Sequence, residues 1–160
     1  HRGDLELGRV GRHFAEVHAP VADNQLLITA GEHLMRLVTG SDRWERFVWN
    51  ISRHPRLHNH PHRVDPQPWP ATASPDELAA QAWFRTERQT FIPLPDRREA
   101  VFTILVHSEP LATALQTPQQ AQTLHDAVAS MSPAVLAYRS LAEARDRLLP
   151  WLAARAASPA

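Results

Sequence analysis

The sequence contains no cysteine. This absence excludes, within the 160 residues, a disulfide scaffold, a thiolate-held iron–sulfur cluster, a cysteine-ligated haem and a cysteine nucleophile. Lysine is also absent, because all 17 basic residues are arginine. A chain without lysine forms neither a lysine Schiff base nor a P-loop, so two large classes of mechanism are excluded as well.

A long apolar run and an excess of charge are also missing. No apolar stretch approaches the roughly 20 residues of a transmembrane helix, and His1–Leu5 does not resemble a signal peptide. The 17 basic residues balance 17 acidic residues, so nothing indicates a nucleic acid or an anionic membrane as a partner. We expect a cytoplasmic protein that forms one domain over residues 1–160, with 43% hydrophobic residues for its core. Because the sequence does not begin with methionine, we also expect the C-terminal portion of a longer chain.

The order of predicted helices and strands indicates an α+β fold. Hydrophobic spacing, capping residues and β-branched runs predict helices over 23–38, 74–80, 117–130, 132–138 and 141–156, and strands over 44–51, 83–91 and 100–108. Six prolines between positions 53 and 75 exclude regular structure from most of that loop. We therefore expect an antiparallel sheet covered by helices on one side.

Local features lead to sharper expectations. The run Ala100–Ser108 is almost continuously apolar, which predicts a central strand buried on both faces. Pro150 lies inside the last predicted helix, where it removes a backbone donor, so that helix should end or kink near Leu149. Asp23 and Gly40 are expected to cap the first helix.

Four of the ten histidines lie close together, at positions 54, 58, 60 and 62 of the proline-rich loop. In an extended chain alternate residues point the same way, so His58, His60 and His62 can converge on one point. Neutral imidazole is a good ligand for iron, copper, nickel and zinc. The spacing predicts either a mononuclear metal site or a single axial haem ligand, and the alternative is a histidine-rich surface loop.

The segment Arg85–Thr90 places charged side chains inside a predicted strand. Strand alternation sets Arg85, Glu87 and Gln89 on one face and Arg88 on the other. Charges within a small sheet need partners. Pairing between arginine and glutamate supplies some of them, and an anionic group such as a carboxylate, propionate or phosphate would supply the rest. The alternative is a solvated edge strand with salt bridges.

The tryptophans are more typical of a core than of a cofactor wall. Trp69 and Trp83 flank the polar segments, so they are the better candidates for lining a pocket. His107 ends the last predicted strand, where it faces a pocket or belongs to the core or the surface.

The central hairpin carries Trp83-Phe-Arg-Thr-Glu-Arg-Gln-Thr90, then Leu94-Pro95, and then Ala100-Val-Phe-Thr-Ile104 followed by Glu109-Pro110-Leu111. In these motifs the sequence shows a resemblance to the haem-dependent oxidative N-demethylase family. Weaker similarities near both ends extend it over nearly the whole chain. It implies a PAS-like antiparallel sheet, flanked by helices, that holds a b-type haem. Family members have further N-terminal strands, so we expect a sheet that lacks them.

The resemblance also implies an activity and partners. Members of the family resemble an oxygenase that uses O2 to remove a methyl group from a small methylated amine and releases formaldehyde. NADPH, FMN and a [2Fe–2S] cluster would lie on a partner reductase subunit, since this chain has no cysteine and no nucleotide-binding motif. The chain would be the haem subunit alone.

Expected site residues follow from the same resemblance. His62, and after it His60, is the expected iron ligand, because His62-Arg63 matches a His-Arg pair of the family. The expected cofactor-binding residues are His62, His60, Arg63, Arg88 and Trp83. Arg85 is expected to hold a propionate or balance Glu87, and Glu87 to pair with the protonated amine, so these two are the expected catalytic residues.

Two other functions fit the same residues. A PAS-like haem or ligand sensor would share the fold and lack catalysis. A non-haem metal site formed by His58, His60 and His62 would need no porphyrin.

Overall fold

The computed structural model describes residues 25–58 and 67–158. Its β-strands are β1 (Trp44–Ser52), β2 (Trp83–Leu94) and β3 (Glu99–Pro110). Its α-helices are α1 (Gln25–Thr29), α2 (Gly31–Val38), α3 (Pro75–Ala80), α4 (Leu111–Ala114), α5 (Pro118–Ala129), α6 (Pro133–Tyr138) and α7 (Arg145–Ala156). A short 3₁₀ helix, Pro95–Arg97, connects β2 to β3.

The three strands form one antiparallel sheet in the order β1–β2–β3. Its register places Trp83 of β2 between Ser52 of β1 and Pro110 of β3. The predicted α+β class, with an antiparallel sheet and helices, is therefore confirmed. The likeness to a PAS domain and the loss of N-terminal strands stay predictions.

The prediction that Ala100–Ser108 forms a central strand buried on both faces is wrong. β2 lies in the middle of the sheet, and in β3 Phe102, Ile104 and Leu105 are exposed by 46%, 47% and 67%. A continuous apolar run lacks the two-residue period that would indicate which face is buried. The place of a strand in the sheet depends on its pairing partners, which the run itself does not specify.

The first predicted helix is divided into α1 and α2. Ala30 lies between them in a turn, and α2 starts at Gly31, a residue with low helix propensity. Thr39 is the C-cap of α2, so the prediction of Gly40 at that position is wrong by one residue. Asp23, the predicted N-cap, lies outside the described residues.

The helix starts predicted from capping residues are confirmed. Ser74 Oγ accepts a hydrogen bond from the Glu77 amide at 3.3 Å, and the Glu77 carboxylate accepts one from the Ser74 amide at 2.8 Å. Thr117 and Gln120 form the same capping box at α5, and Ser132 caps α6. Each cap satisfies backbone amides that the first turn of a helix leaves free.

The core lies where the helices after β1 pack against one face of the sheet. Its largest buried side chains are Ile51, Trp69, Leu78, Leu111, Leu115, Leu124, Val128, Leu136, Leu141, Leu148 and Leu152. Trp49 and Phe84 pack against this core, and their rings stack with centroids 6.0 Å apart. Trp69 donates from Nε1 to the Ser140 carbonyl at 2.7 Å, so the core alternative for this residue is confirmed.

The last helix continues through Pro150, so it does not end near Leu149, and the predicted alternative of a kink there stays a prediction. Pro150 has no amide to donate to the carbonyl of Asp146, which costs the helix one hydrogen bond. Leu148 and Leu152 lie on either side of it and are fully buried. Their packing holds the helix together across the missing bond, because tertiary packing outweighs local propensity.

Two shorter segments also differ from the expectation. Residues 141–144 form a turn before α7, in which the Ala144 amide donates to the Leu141 carbonyl at 3.0 Å. Helix α4 was not predicted, because four residues are too few to show a helical period. None of the helices in the described ranges is long and apolar enough to cross a membrane.

Replacing Pro150 by alanine tests the account of α7. The Pro150→Ala variant restores an amide that can bond the Asp146 carbonyl, and Pro150 is exposed, so little packing is lost. Interior proline costs about 3 kcal/mol and its loss frees the unfolded chain by up to about 1 kcal/mol, so we expect roughly 2 kcal/mol of added stability. Urea unfolding followed by circular dichroism measures the change.

Pro118→Ala is the matched control, because Pro118 occupies the first position of α5, where proline costs the helix nothing. That variant should show no gain. Equal stabilisation of both variants, or none in Pro150→Ala, would contradict the account.

Candidate functional site

Strand alternation divides the sheet into two faces with different chemistry. One face carries the core-packed rings of Trp49 and Phe84. On the other face, β2 carries a line of polar side chains. Residues of β1 and β3 that pair with β2 add further polar side chains to this face. We call this the polar face, and its polar residues are Arg46, Asn50, Arg85, Glu87, Gln89 and Ser108.

A continuous chain of hydrogen bonds runs along the polar face. Arg46 Nε donates to Gln89 Oε1 at 2.6 Å, and Gln89 Nε2 donates to Glu87 Oε2 at 2.6 Å. Glu87 Oε1 accepts from Arg85 Nη1, which completes an ion pair. Arg85 Nη2 in turn donates to the carbonyl of Leu57 at 3.0 Å. The predicted alternation and the predicted Arg–Glu pairing are confirmed.

The hydrogen-bonded side chains on the polar face are more buried than is usual on a sheet surface. Arg85 is exposed by only 8% and Gln89 by 6%, although both carry strongly polar groups. The alternative of a solvated edge strand is wrong for these residues, since β2 is central and its polar side chains are buried. The polar face carries two arginines, Arg46 and Arg85, and one glutamate, Glu87. It therefore has an excess positive charge that no described carboxylate on that face balances.

Arg88 lies on the opposite face from Arg85. Its guanidinium makes a bidentate ion pair with Glu45, with Nη2 2.9 Å from Oε1 and Nε 3.2 Å from Oε2. Thr90 Oγ1 also donates to Glu45 at 3.3 Å. The pair with Arg88 is the largest cause of the lowered pKa of Glu45. Arg85 and Arg88 therefore lie on different faces of the sheet and do not converge on one ligand.

The start of the proline-rich loop is attached to the sheet, and its far end is bonded to that start. Ser52 Oγ donates to the His54 carbonyl at 2.9 Å, and Arg85 holds the Leu57 carbonyl. Arg53 donates to the carbonyl of Pro68, so the two ends of the loop are bridged. These contacts place His58, the residue after Leu57, next to the polar face.

The predicted iron ligands cannot be located. His60, His62 and Arg63 lie outside the described residues, so their roles stay predictions. Among the residues that are described, no three histidine, aspartate or glutamate side chains come together as a metal site.

His54 is a site residue that the sequence did not single out for a role of its own. Burial is the main cause of its lowered pKa, and the positive charges of Arg56 and Arg85 lower it further. Its Nδ1 atom is buried and has no hydrogen-bond partner among the described residues. Burial and the nearby arginine charges thus disfavour the protonated imidazole.

Three more buried polar atoms without partners lie on the polar face. They are Asn50 Oδ1, Arg85 Nε and Ser108 Oγ. In the register of the sheet, Arg85 lies directly between Asn50 and Ser108, so the three residues form one row across the strands. An unpartnered buried polar group costs about 1–3 kcal/mol, which makes such a cluster a strong indication of a binding site.

Asn50 and Ser108 were missed from the sequence because each looks ordinary within its own strand. The only available signal was position: both sit near the ends of predicted strands, beside the charged segment of β2. Recognising the row requires the pairing register, which local patterns do not supply.

Trp83 and His107 have clear positions. Trp83 lies on the polar face two residues before Arg85 and is half-buried, as a pocket wall would be. His107 lies on the other face with a side chain that is 68% exposed, 3.4 Å from Glu109. The surface alternative for His107 is therefore confirmed.

A cleft of about 270 Å³ opens on the face opposite the polar face. It is lined by Trp49, Phe84, Leu115, Leu124 and neighbouring residues of α5. Its volume is below the roughly 300–1,000 Å³ of ordinary ligand pockets. The cleft is therefore too small for a porphyrin, and the polar face is the better candidate site.

The fold and the site thus define an α+β domain with a sheet face in which Arg85 is buried, beside a histidine-rich loop. The family model of the haem-dependent oxidative N-demethylase, alpha subunit-like, matches residues 7–149. The chain therefore belongs to this family. A search of curated proteins found no match.

The lowered pKa of His54 leads to a prediction about pH. Because the folded-state pKa is below the unfolded value of about 6.5, the unfolded chain takes up the proton first as pH falls. The contribution of neutral His54 to stability is therefore complete above about pH 6.5 and declines below it. The stability difference between the wild type and His54→Gln should shrink as pH falls from about 7.5 to 5.5.

Urea unfolding at several pH values measures this difference. At the highest pH the stability difference between the wild type and His54→Gln reflects only the packing and hydrogen bonding of histidine and glutamine at this position. It serves as the reference. A difference that stays constant or grows toward acid pH would show that His54 is not held neutral.

Proposed function

We propose that the chain is the haem-binding subunit of an O2-dependent N-demethylase that acts on a small methylated amine and releases formaldehyde. The observation that carries the proposal is the family match over residues 7–149, joined to the buried guanidinium of Arg85 beside the histidine-rich loop. The family description "alpha subunit-like" supports an assembly with another subunit. That subunit would be a reductase with NADPH, FMN and a [2Fe–2S] cluster, since this chain has no cysteine.

The described residues fit a b-type haem at its acidic edge. The polar face has an excess positive charge, and Arg85 Nε is a buried donor without a partner. A propionate is an acceptor of the opposite charge, so it suits this position. Bound there, the haem would supply the O2-dependent oxidation of the N-methyl carbon.

The histidine-rich loop would hold the iron. We assign the ligand to His62, with His60 as the second choice. The contact between Arg85 and Leu57 brings the start of this loop to the polar face, which supports the assignment. Arg63 and Trp83 would contact the cofactor on the same side, whereas Arg88 lies on the other face and is not assigned a haem contact.

The expected pairing of Glu87 with a protonated amine stays a prediction. Each of its oxygens already accepts one hydrogen bond, from Arg85 and from Gln89. Its negative charge is thereby committed to the guanidinium of Arg85, which favours another role. We assign Glu87 a positioning role, in which it fixes the guanidinium of Arg85.

Haem titration of the full-length purified protein tests the proposal. A Soret band should appear at one haem per chain, because a neutral histidine binds the iron. His62→Ala should shift or remove that band. His60→Ala should do so only if His60 is the ligand instead.

His107→Ala is the control, since His107 is exposed on the other face of the sheet. No haem uptake, or a spectrum that neither loop variant changes, would refute the proposal. Formaldehyde production from methylated amines, measured with the reductase present, then distinguishes an enzyme from a sensor.

A further inference from the structure

A row of unpartnered polar atoms crosses the sheet at Arg85. The Cα partners of Arg85 are Asn50 on β1 and Ser108 on β3, so all three side chains project from the polar face. Directly opposite residues in antiparallel strands have Cβ atoms about 4.5–5.5 Å apart. Asn50, Arg85 and Ser108 are therefore neighbouring residues, and Asn50 Oδ1, Arg85 Nε and Ser108 Oγ have no hydrogen-bond partner among the described residues.

His54 belongs to the same cluster. Its Nδ1 is buried without a partner among the described residues, and its carbonyl accepts from Ser52 Oγ, two residues after Asn50 on β1. Four residues from the three strands and the loop thus carry unsatisfied buried polar atoms in this part of the structure. Buried polar atoms are otherwise nearly always paired, so the two donors among them, on Arg85 and Ser108, indicate an acceptor group that completes them.

The chemistry of the cluster selects the group. Arg85 Nε–H and Ser108 Oγ–H are donors, and the guanidinium carries a full positive charge. Glu87 accepts from Nη1 and the Leu57 carbonyl accepts from Nη2, so Nε is the one guanidinium nitrogen of Arg85 without a hydrogen-bond partner among the described residues. A carboxylate offers two acceptor oxygens and a negative charge, which together balance the excess positive charge of the polar face.

We infer that Arg85 and Ser108, flanked by Asn50 and His54, form a carboxylate-binding subsite. The carboxylate comes either from a haem propionate or from a methylated amine that itself bears a carboxylate. In the second case the substrate is an N-methylated amino acid, whose ammonium group can donate to Asn50 Oδ1. The inference extends the proposed function, but the subsite itself does not depend on haem.

Paired ligands that differ only in the carboxylate test the inference. Haem is compared with haem dimethyl ester by absorption titration, and N,N-dimethylglycine with dimethylamine by calorimetry of the full chain. We expect the wild type to bind at least one carboxylate ligand about ten- to hundred-fold more tightly than its counterpart. A preference for haem assigns the propionate, and a preference for N,N-dimethylglycine assigns the substrate.

Two variants and a control test whether Ser108 and Arg85 cause the preference for carboxylate ligands. Ser108→Ala removes a hydroxyl that makes no bond in the free protein, so it should fold normally and weaken carboxylate binding about ten-fold. Arg85→Lys keeps the charge beside Glu87 and removes the Nε donor, so it should reduce the preference further. Arg88→Lys changes the same residue type in the same strand on the opposite face and should leave the preference unchanged.

Equal binding of each ligand and its counterpart would overturn the inference and indicate that the cluster holds buried water only. So would a loss in Arg88→Lys as large as in Ser108→Ala. The two proposals fail separately. Haem uptake with equal binding in both ligand pairs overturns the subsite and keeps the haem function. Ser108-dependent binding of N,N-dimethylglycine without haem uptake overturns the haem function and keeps the subsite.

Discussion

The buried guanidinium of Arg85 is the constraint on which the site depends. A permanent positive charge in the central strand of a small sheet is costly unless every donor and the charge itself are satisfied. Glu87 supplies the countercharge, Gln89 holds Glu87 in place, and the Leu57 carbonyl takes a second donor. The Nε nitrogen has no partner among the described residues, and the proposed carboxylate subsite is built around it. The same guanidinium fixes the start of the histidine-rich loop, so one side chain links the sheet to the proposed iron ligand.

Arginine performs the same structural task elsewhere in the chain. Arg53 bridges the ends of the loop, Arg139 donates to the Trp49 carbonyl while its guanidinium lies over the ring of Trp49, and Arg147 binds the carbonyls of residues 70 and 73. A planar guanidinium with several donors can satisfy two carbonyls at once, which a lysine ammonium on a flexible stem does less well. The sequence uses arginine alone for positive charge, and this has a consequence in the fold. Irregular segments are held by arginine side chains rather than by backbone pairing.

Features that depend on neighbouring residues were predictable from the sequence. The caps at Ser74 and Thr117 follow from short motifs, and the alternation of Arg85 and Glu87 follows from strand geometry. Features that depend on which segments meet were not. The edge position of β3 and the row formed by Asn50 and Ser108 arise from strand pairing, which an apolar run or a single polar residue does not encode. The continuation of α7 through its proline is a further case, since distant packing overrides a local preference.

The most direct measurement of the central claim is a pair of double-mutant cycles that compare the two faces of β2. One cycle replaces Arg85 and Glu87 by glutamine, singly and together, and the other does the same for Arg88 and Glu45. Urea unfolding gives the coupling free energy of each pair. If the polar face is built on a buried ion pair, the first cycle should give a coupling of about 1.5–3 kcal/mol and the second a clearly smaller one. Equal couplings, or a smaller one for Arg85 and Glu87, would contradict the account.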